Sequence, residues 1–231
     1  SLRRVVRLRL IVTSQQTTLV ERTLADIGIQ STVEVIRLYS SANDFYRADW
    51  RETDAVALRA LWAISKPSIV AVQGDTNSSL WGAIQAREFS IPLVHLEAGI
   101  RHAPSLLPEP EETNRRSITR LASFHLTPSL HECMNLKSEG VRDAQIAVVG
   151  DLSQSWLAYV LTDEILFARG EVILRESFPH LLSSHFAIGT FHRPSSLASY
   201  EALAEALSST FGNATNCKLL ICQRPDTRWH S

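Results

Sequence analysis

The chain has 231 residues, of which 45% are hydrophobic and 20% are charged, and its formal net charge is −1. This balance is typical of a globular protein and gives no electrostatic basis for binding nucleic acid or an anionic membrane surface. No apolar stretch approaches the roughly 20 residues of a membrane-spanning helix.

The three cysteines, Cys133, Cys217 and Cys222, are irregularly spaced, which predicts buried thiols rather than a disulfide framework or a zinc site. The basic opening of the chain is too short and too interrupted to be a targeting peptide. Because the sequence carries no secretory signal, the reducing cytosol is the expected compartment.

Short apolar runs alternate along the chain with longer segments of helical periodicity. A parallel sheet covered on both faces by helices, the Rossmann-like α/β class, is the architecture that this alternation predicts. Strands are predicted at Leu8–Val12, Val33–Leu38, Ile69–Val72, Leu93–Leu96, Phe124–Thr127, Ile146–Val149, Phe186–Gly189 and Leu219–Cys222. Helices are predicted near 17–27, 51–65, 77–88, 110–121, 129–138, 163–177 and 200–210.

A change in the alternation predicts a domain boundary near residue 158. The loop Gly150–Ser155 closes the first series of strands and helices, and helical residues 156–177 then lead to a new strand at Phe186. The predicted units are a first lobe over residues 1–158 and the beginning of a second over 159–231. The second unit holds about one βαβ unit, which is too small to bury a good core alone.

Two apolar strands are each followed by a carboxylate. Asp75 follows the strand that begins at Ile69, and Glu97 closes the strand in IPLVHLEAGIR (91–101). Acids at the carboxyl ends of parallel strands meet at the same edge of the sheet, where open α/β sheets build their sites. Asp75 also fits a helix N-cap, with Thr76 as its competitor for that position.

Glu97 is harder to explain structurally, because a charge at the end of an apolar strand is costly unless it faces a wet cleft or a partner. His95, two residues earlier, either orients Glu97 or is a hydrogen-bonded core histidine, and we favour the second interpretation. A third acidic group, Glu111 and Glu112, follows Pro110. A helix that starts with Pro at its first position explains this group without any site, since the helix dipole favours acids there.

Taken together, GDTNSS (74–79), HLEAGIR (95–101), PEETNR (110–115) and GTFHRP (189–194) resemble the motifs of the non-hydrolysing UDP-N-acetylglucosamine 2-epimerases. SEGVRDAQIAVVGD (138–151) resembles the same family's passage into its hinge. The resemblance implies the bilobal GT-B architecture. It also implies a UDP-sugar substrate and no nicotinamide or metal cofactor.

The family's reaction, as the resemblance implies it, removes the sugar C2 proton, expels UDP to give 2-acetamidoglucal, and re-adds UDP with the opposite configuration. Carboxylates can act as acid and base in such chemistry. The motifs place the catalytic acids at Asp75, Glu97 and Glu111, and not at Glu112. They also place a diphosphate-binding histidine, which we group with the catalytic residues, at His192.

Arg115 and Arg193 are the substrate-binding residues that the resemblance suggests, and Arg115 is also expected to pair with a carboxylate. A homodimer is among the assemblies that the sequence allows. The resemblance also implies that the family's first strand with its basic loop, and its later phosphate- and uridine-binding loop, are absent from this sequence. We therefore expect little or no epimerase activity from the chain as given, although its first lobe should fold.

Three alternatives remain open at this stage. The chain could be a non-catalytic remnant that binds a sugar nucleotide, a hydrolysing epimerase that releases ManNAc, or a GT-B glycosyltransferase. The motifs resemble the non-hydrolysing group more than the hydrolysing one. The GT-B fold alone does not indicate a glycosyltransferase, because one fold can support many reactions. The three carboxylates argue against that activity.

Overall fold

The computed structural model describes residues 7–15, 17–27, 33–38, 50–102, 110–181, 185–190, 205–206, 209 and 217–222. The chain divides into two units, Ser1–Ser155 and Trp156–Ser231. Each unit is described by itself below.

The strands that the structure describes in the first unit are parallel and form two sheets. One is a pair, β1 (Arg9–Val12) and β2 (Glu34–Arg37). The other has four strands in the order β3 (Val70–Gln73), β4 (Leu93–Leu96), β5 (Phe124–Thr127) and β6 (Ile146–Val148). Because neighbouring strands run in the same direction, the carboxyl ends of β3 and β4 lie side by side.

The helices of the first unit follow the predicted segments to within one residue at each end. They are α1 (Thr17–Ile27), α2 (Trp50–Ile64), α3 (Asn77–Glu88), α4 (Glu111–Leu121) and α5 (Leu130–Ser138). The predicted alternation of strands and helices, and with it the α/β class, is confirmed.

The helices are held on the sheet by two clusters of buried apolar side chains. One joins α2 and α3 through Leu58, Trp62 and Trp81, with the ring of Phe89 edge-on to that of Trp62. The other packs α3 and α4 on the second sheet and includes Val72, Ala83, Ala86, Leu93 and Ile118. Burying a Leu or Val side chain stabilises the folded state by roughly 1.5 to 3 kcal/mol. These clusters therefore hold the helices and the strand ends in place.

A cavity of about 900 Å³ separates β1 from β3, and the two strands do not pair. Side chains bridge it at both ends. At the amino end Arg9 Nη1 donates to Ser65 Oγ at 2.7 Å. At the carboxyl end Ser78 donates its backbone N–H to Gln15 Oε1 at 2.7 Å. Among the residues described in the first unit, the strands therefore form two sheets held side by side rather than one continuous sheet.

The loop predicted at Gly150–Ser155 is wrong from Leu152 onwards, because α6 (Leu152–Thr162) begins there. The carboxylate of Asp151 accepts a hydrogen bond from the backbone N–H of Ser153 at 2.7 Å. A carboxylate that satisfies a free N–H in the first turn allows a helix to start earlier than its apolar pattern suggests.

Beyond α6, the second unit contains α7 (Glu164–Ser177) and a parallel pair of strands, β7 (His185–Thr190) and β8 (Cys217–Cys222). Asp163 caps α7 by accepting from the backbone N–H groups of Ile165 and Leu166. In the helix predicted at 200–210, only 205–206 and 209 are described, and they are helical. Within the described part of the chain no helix has the length and apolarity needed to cross a membrane. Cys133 is a buried free thiol, as predicted.

Candidate active site

The turn after β3 presents Asp75 with its carboxylate free of any capping role. Gly74 has φ +66°, a left-handed conformation that suits a residue without a Cβ. Thr76 is the N-cap of α3, since its side chain accepts a hydrogen bond from the Ser79 backbone N–H at 3.1 Å. The alternative that Asp75 caps this helix is therefore wrong, and its competitor Thr76 takes the position.

Two side chains of α4 bind the Asp75 residue. Arg115 Nη2 donates to Asp75 Oδ2, so the expectation that Arg115 pairs with a carboxylate is confirmed. Asn114 Nδ2 donates to the Asp75 carbonyl oxygen at 2.8 Å and to Asn77 Oδ1 at 3.1 Å. Asn114 and Arg115 are both buried, so α4 is attached to the β3 turn by groups shielded from water.

Glu97, at the end of β4, adopts a left-handed backbone conformation with φ +58°. Such a conformation is uncommon for a residue other than glycine and is found in turns and at functional sites. Glu97 Oε1 accepts a hydrogen bond from Gln73 Nε2 at 2.8 Å, and Oε2 would lie 3.5 Å from a Cβ built on Gly74. The Glu97 side chain thus lies over the turn that carries Asp75.

Glu111 is the first residue of α4 and is partly exposed. Pro110 is the N-cap of this helix rather than its first residue, which corrects the predicted helix start by one position. Glu112, next in the chain, is 2% exposed and points into a cluster of arginines. Neighbouring acids of one helical turn therefore have different surroundings.

The interpretation of His95 as a hydrogen-bonded core histidine is confirmed. The ring is fully buried, and its Nε2 is 2.9 Å from the carbonyl oxygen of Gly74, to which it donates. Burial lowers the pKa of His95, because removal from water disfavours the charged ring. His125 lies beside it in register on β5 and is also buried, with its pKa lowered to about 4.

An arginine cluster lies behind α4. Arg101 binds the carboxylate of Glu139 with both arms of its guanidinium, at 2.7 and 2.8 Å. Arg116 also reaches Glu139, at 3.2 Å, and places its Nε 2.9 Å from Glu112 Oε1. The guanidinium next to Glu139 holds the pKa of that carboxyl below its usual range. This cluster connects α4 to α5 and to the segment after β4.

The structure thus brings together Asp75, Glu97 and Arg115, with Glu111 at the start of the helix that Arg115 and Asn114 attach to the site. His192 and Arg193 lie outside the described residues. Among the residues that the structure describes, no group of three or more His, Cys, Asp or Glu side chains is arranged to hold a metal ion.

Sequence reasoning missed two contributors. Gln73 is the polar residue in the last position of an otherwise apolar strand, which is a signal that could have identified it. Glu112 carried a local signal in its i,i+3 and i,i+4 spacing to Arg115 and Arg116, but its contacts with Arg101 and His102 from the segment after β4 had none.

Residues 2–228 match a family model described as UDP-N-acetylglucosamine 2-epimerase. The chain belongs to this family. A relative from Salmonella typhimurium named UDP-N-acetylglucosamine 2-epimerase is 31% identical over 169 residues, which cover 71% of this chain and 44% of the relative. A Thermotoga maritima protein named as a putative member is 38% identical over 102 residues, covering 44% of this chain and 27% of its own length. The chain thus spans less than half the length of these relatives.

Solved structures of the family share the fold. The Neisseria meningitidis UDP-GlcNAc 2-epimerase bound to UDP-GlcNAc superposes with a TM-score of 0.72 at 20% identity, covering 92% of this chain and 57% of that one. The S. aureus MnaA structure with UDP superposes with a TM-score of 0.69 at 19% identity, covering 95% of this chain and 62% of that one. The likeness places the described strands and helices in the family's GT-B fold.

Proposed function

We propose that the protein to which this chain belongs interconverts UDP-GlcNAc and UDP-ManNAc by elimination and re-addition of UDP. Family membership supports the reaction class. The neighbouring structures, which contain UDP-GlcNAc or UDP, support a UDP-sugar as the ligand. Asp75, Glu97 and Glu111 are the residues to which we assign the acid–base chemistry.

The reaction sets clear demands on the site. A base removes the C2 proton while the C1–O bond to the diphosphate breaks, and its electron pair leaves with UDP. In the return step the C1–O bond forms again, and an acid delivers a proton to the opposite face of C2. Carboxylates held in a sheltered cleft suit both roles, because their surroundings decide which one holds the proton.

The arrangement of Asp75 and Glu97 is the observation that carries this proposal. Their strands are adjacent and parallel, so both acids project from the same edge of the sheet. The Glu97 side chain lies over Gly74, the neighbour of Asp75. The left-handed backbone of Glu97 is consistent with a residue held for its side chain rather than for stability.

A chimaera provides the test. In it the Salmonella typhimurium relative keeps its own sequence outside the 169 matched residues, and this chain supplies the matched segment. We expect the chimaera to interconvert the two UDP-sugars in D₂O and to place deuterium at C2, as followed by proton NMR. We expect the 231-residue chain alone to show little exchange, because binding energy from the rest of the substrate positions the reacting carbon.

Amide variants of the chimaera test the assigned residues. Asp75→Asn, Glu97→Gln and Glu111→Gln should each lower kcat by roughly 10²-fold, the scale of a general acid or base. Glu88→Gln, an exposed acid at the end of α3, is the control and should leave the rate unchanged. A folded chimaera that binds UDP without exchanging C2 would contradict the proposed reaction. Amide variants that exchange at the parental rate would contradict the assignment.

A further inference from the structure

Glu112 is a buried acid that the proposed chemistry does not use. Its side chain is 3% exposed, and it is the second residue of α4, where the helix dipole favours a negative charge. A buried carboxylate is costly unless cations or hydrogen-bond donors surround it. The groups that contact the Glu112 carboxylate therefore indicate its role.

Three arginines from two segments surround the Glu112 carboxylate. Oε1 lies 2.9 Å from Arg116 Nε, in the geometry of an ion pair rather than of a hydrogen bond, and 4.0 Å from Arg101 Nε. Oε2 lies 3.6 Å from Arg115 Nη1 and accepts from the His102 backbone N–H at 3.4 Å. Glu112 thus connects α4 with the segment that leaves β4.

Arg115 is the member of this group that reaches the candidate site. Its Nη1 faces Glu112 and donates to His102 Nδ1 at 2.5 Å, while its Nη2 donates to Asp75. An arginine side chain has many rotamers, and fixing it in one of them costs conformational entropy. The contacts on Nη1 hold the guanidinium in the rotamer that places Nη2 on Asp75.

Carboxylates and guanidinium groups alternate in the ion pairs of the cluster. Asp75, Glu112 and Glu139 supply three carboxylates, and Arg101, Arg115 and Arg116 supply three guanidinium groups. Without Glu112 the three cations would share two acids, and Arg115 would lose its ionic contact on the side away from Asp75.

We infer that Glu112 is a positioning residue that acts through Arg115 to fix the place and the ionic partner of Asp75. The effect on catalysis rests on the proposed function, whereas the contact between Glu112 and Arg115 does not depend on it. Glu112 does not face the sugar in this scheme. A matched comparison is Glu139, because it belongs to the same cluster and binds Arg101 and Arg116, without a described contact to Arg115.

The first experiment measures the contact in the 231-residue chain. Guanidinium NMR resonances of Arg115 are recorded in the wild-type chain and in the variants Glu112→Gln, Glu112→Asp and Glu139→Gln. We expect slow rotation and slow hydrogen exchange of the Arg115 guanidinium in the wild type and in Glu139→Gln. We expect fast averaging in Glu112→Gln. Glu112→Asp keeps the charge but shortens the side chain by one methylene group, which moves the carboxylate away from Arg115 Nη1. We therefore expect faster averaging than in the wild type, and this variant is the comparison to use if the amide variant does not fold.

An Arg115 resonance unchanged in folded Glu112→Gln, or unchanged in Glu112→Asp where only that variant folds, would overturn the inference. Fast averaging of the Arg115 guanidinium in Glu139→Gln as well would mean that the cluster acts only as a whole. That result would also overturn the inference. Neither result depends on enzymatic activity, so failure of the inference is distinguishable from failure of the proposed function.

The second experiment is a double-mutant cycle on kcat in the chimaera. Glu112→Gln alone should lower kcat roughly tenfold, within the range expected for a small misplacement of a reacting group. In an Arg115→Lys background the same substitution should have almost no further effect, because the connection to Asp75 is already broken. Additive effects of the two substitutions, which a purely stabilising Glu112 would give, would contradict the inference. A folded chimaera that binds UDP but is inactive would contradict the proposed function and leave the NMR result to decide the inference.

Discussion

Glu97 combines a carboxylate with a backbone conformation that its side chain disfavours. An L-residue other than glycine loses roughly 1 to 2 kcal/mol in the left-handed region. We therefore predict that the free energy of unfolding of Glu97→Gly is about 1 kcal/mol higher than that of Glu97→Ala, although both variants lack the carboxylate. Urea unfolding of the two variants, followed by circular dichroism, measures this difference.

Ala60 provides the control for the Glu97 comparison. It is exposed within α2, where glycine costs about 1 kcal/mol relative to alanine, so Ala60→Gly should have the opposite sign. If Glu97→Gly were no more stable than Glu97→Ala, the left-handed conformation would not be a source of strain.

At the level of single residues, the sequence predicted which acids follow strands but not what binds them. Asp75 and Glu97 are recognisable because each ends an apolar run, and that pattern is local. The N-cap was ambiguous because Asp75 and Thr76 both suit it, and only the fold decides which side chain reaches Ser79. The buried position of Glu112 depends on Arg101 and on the backbone N–H of His102, which come from the segment after β4, and no pattern within α4 reveals those contacts.

At the level of elements, the segment after β4 is pressed against α5. Gly99 has φ +85°, and a Cβ built there would overlap the carbonyl oxygen of Glu132 and lie 2.9 Å from its carbonyl carbon. Asn135 Nδ2 donates to the Gly99 carbonyl oxygen at 2.9 Å, which holds the same contact from α5. This close approach sets the path of the chain immediately beyond Glu97.

Substituting Gly99 tests the packing of these elements. We predict that Gly99→Ala lowers the free energy of unfolding by roughly 2 kcal/mol more than Gly140→Ala does. Gly140 has nearly the same φ, +87°, but no atom lies within 4 Å of the position that a Cβ would take, so alanine there adds only backbone strain. The clash at Gly99 adds overpacking, which typically costs about 1 to 3 kcal/mol. Equal losses in the two variants, measured by thermal or urea unfolding, would contradict the described packing.

The existence of the elements was largely predictable because most of their signals are local. All eight predicted strands are present, since each is a short apolar run bounded by polar or turn residues. The error at Gly150–Ser155 arose because α6 begins with Leu152 and polar residues, and its capping Asp151 resembled part of a loop. A capping interaction competes with the turn signal, and the sequence alone does not show which prevails.

At the level of the whole molecule, strand neighbours were less predictable than strands. The alternation of strands and helices predicted a parallel sheet in the first lobe, whereas the described strands of the first unit form two sheets separated by a cavity. Pairing depends on segments far apart in the chain, and local periodicity carries no information about it. The predicted boundary near residue 158 stays a prediction beside the division at Ser155.

The buried histidine pair on β4 and β5 makes the stability of the first unit depend on pH. His125 is 1% exposed, and burial lowers its pKa from 6.5 to about 4, with the neighbouring His95 and Arg101 acting in the same direction. Well above pH 6.5 neither the folded nor the unfolded state protonates this ring, so His125 does not lower the free energy of unfolding there. As the pH falls from 6.5 to about 4, the unfolded chain binds a proton that the folded chain does not, and the free energy of unfolding decreases.

Replacing His125 should therefore remove part of the acid sensitivity of the first unit. Between pH 7 and pH 4.5 the wild-type chain should lose about 2 kcal/mol more stability than His125→Leu does, from the shift of its pKa. The measurement is urea unfolding at both pH values, followed by the fluorescence of the buried Trp62 and Trp81. His131 is exposed on α5, so His131→Gln should keep the acid sensitivity of the wild type. Parallel losses in His125→Leu and the wild type would mean that His125 does not titrate differently in the folded and unfolded states.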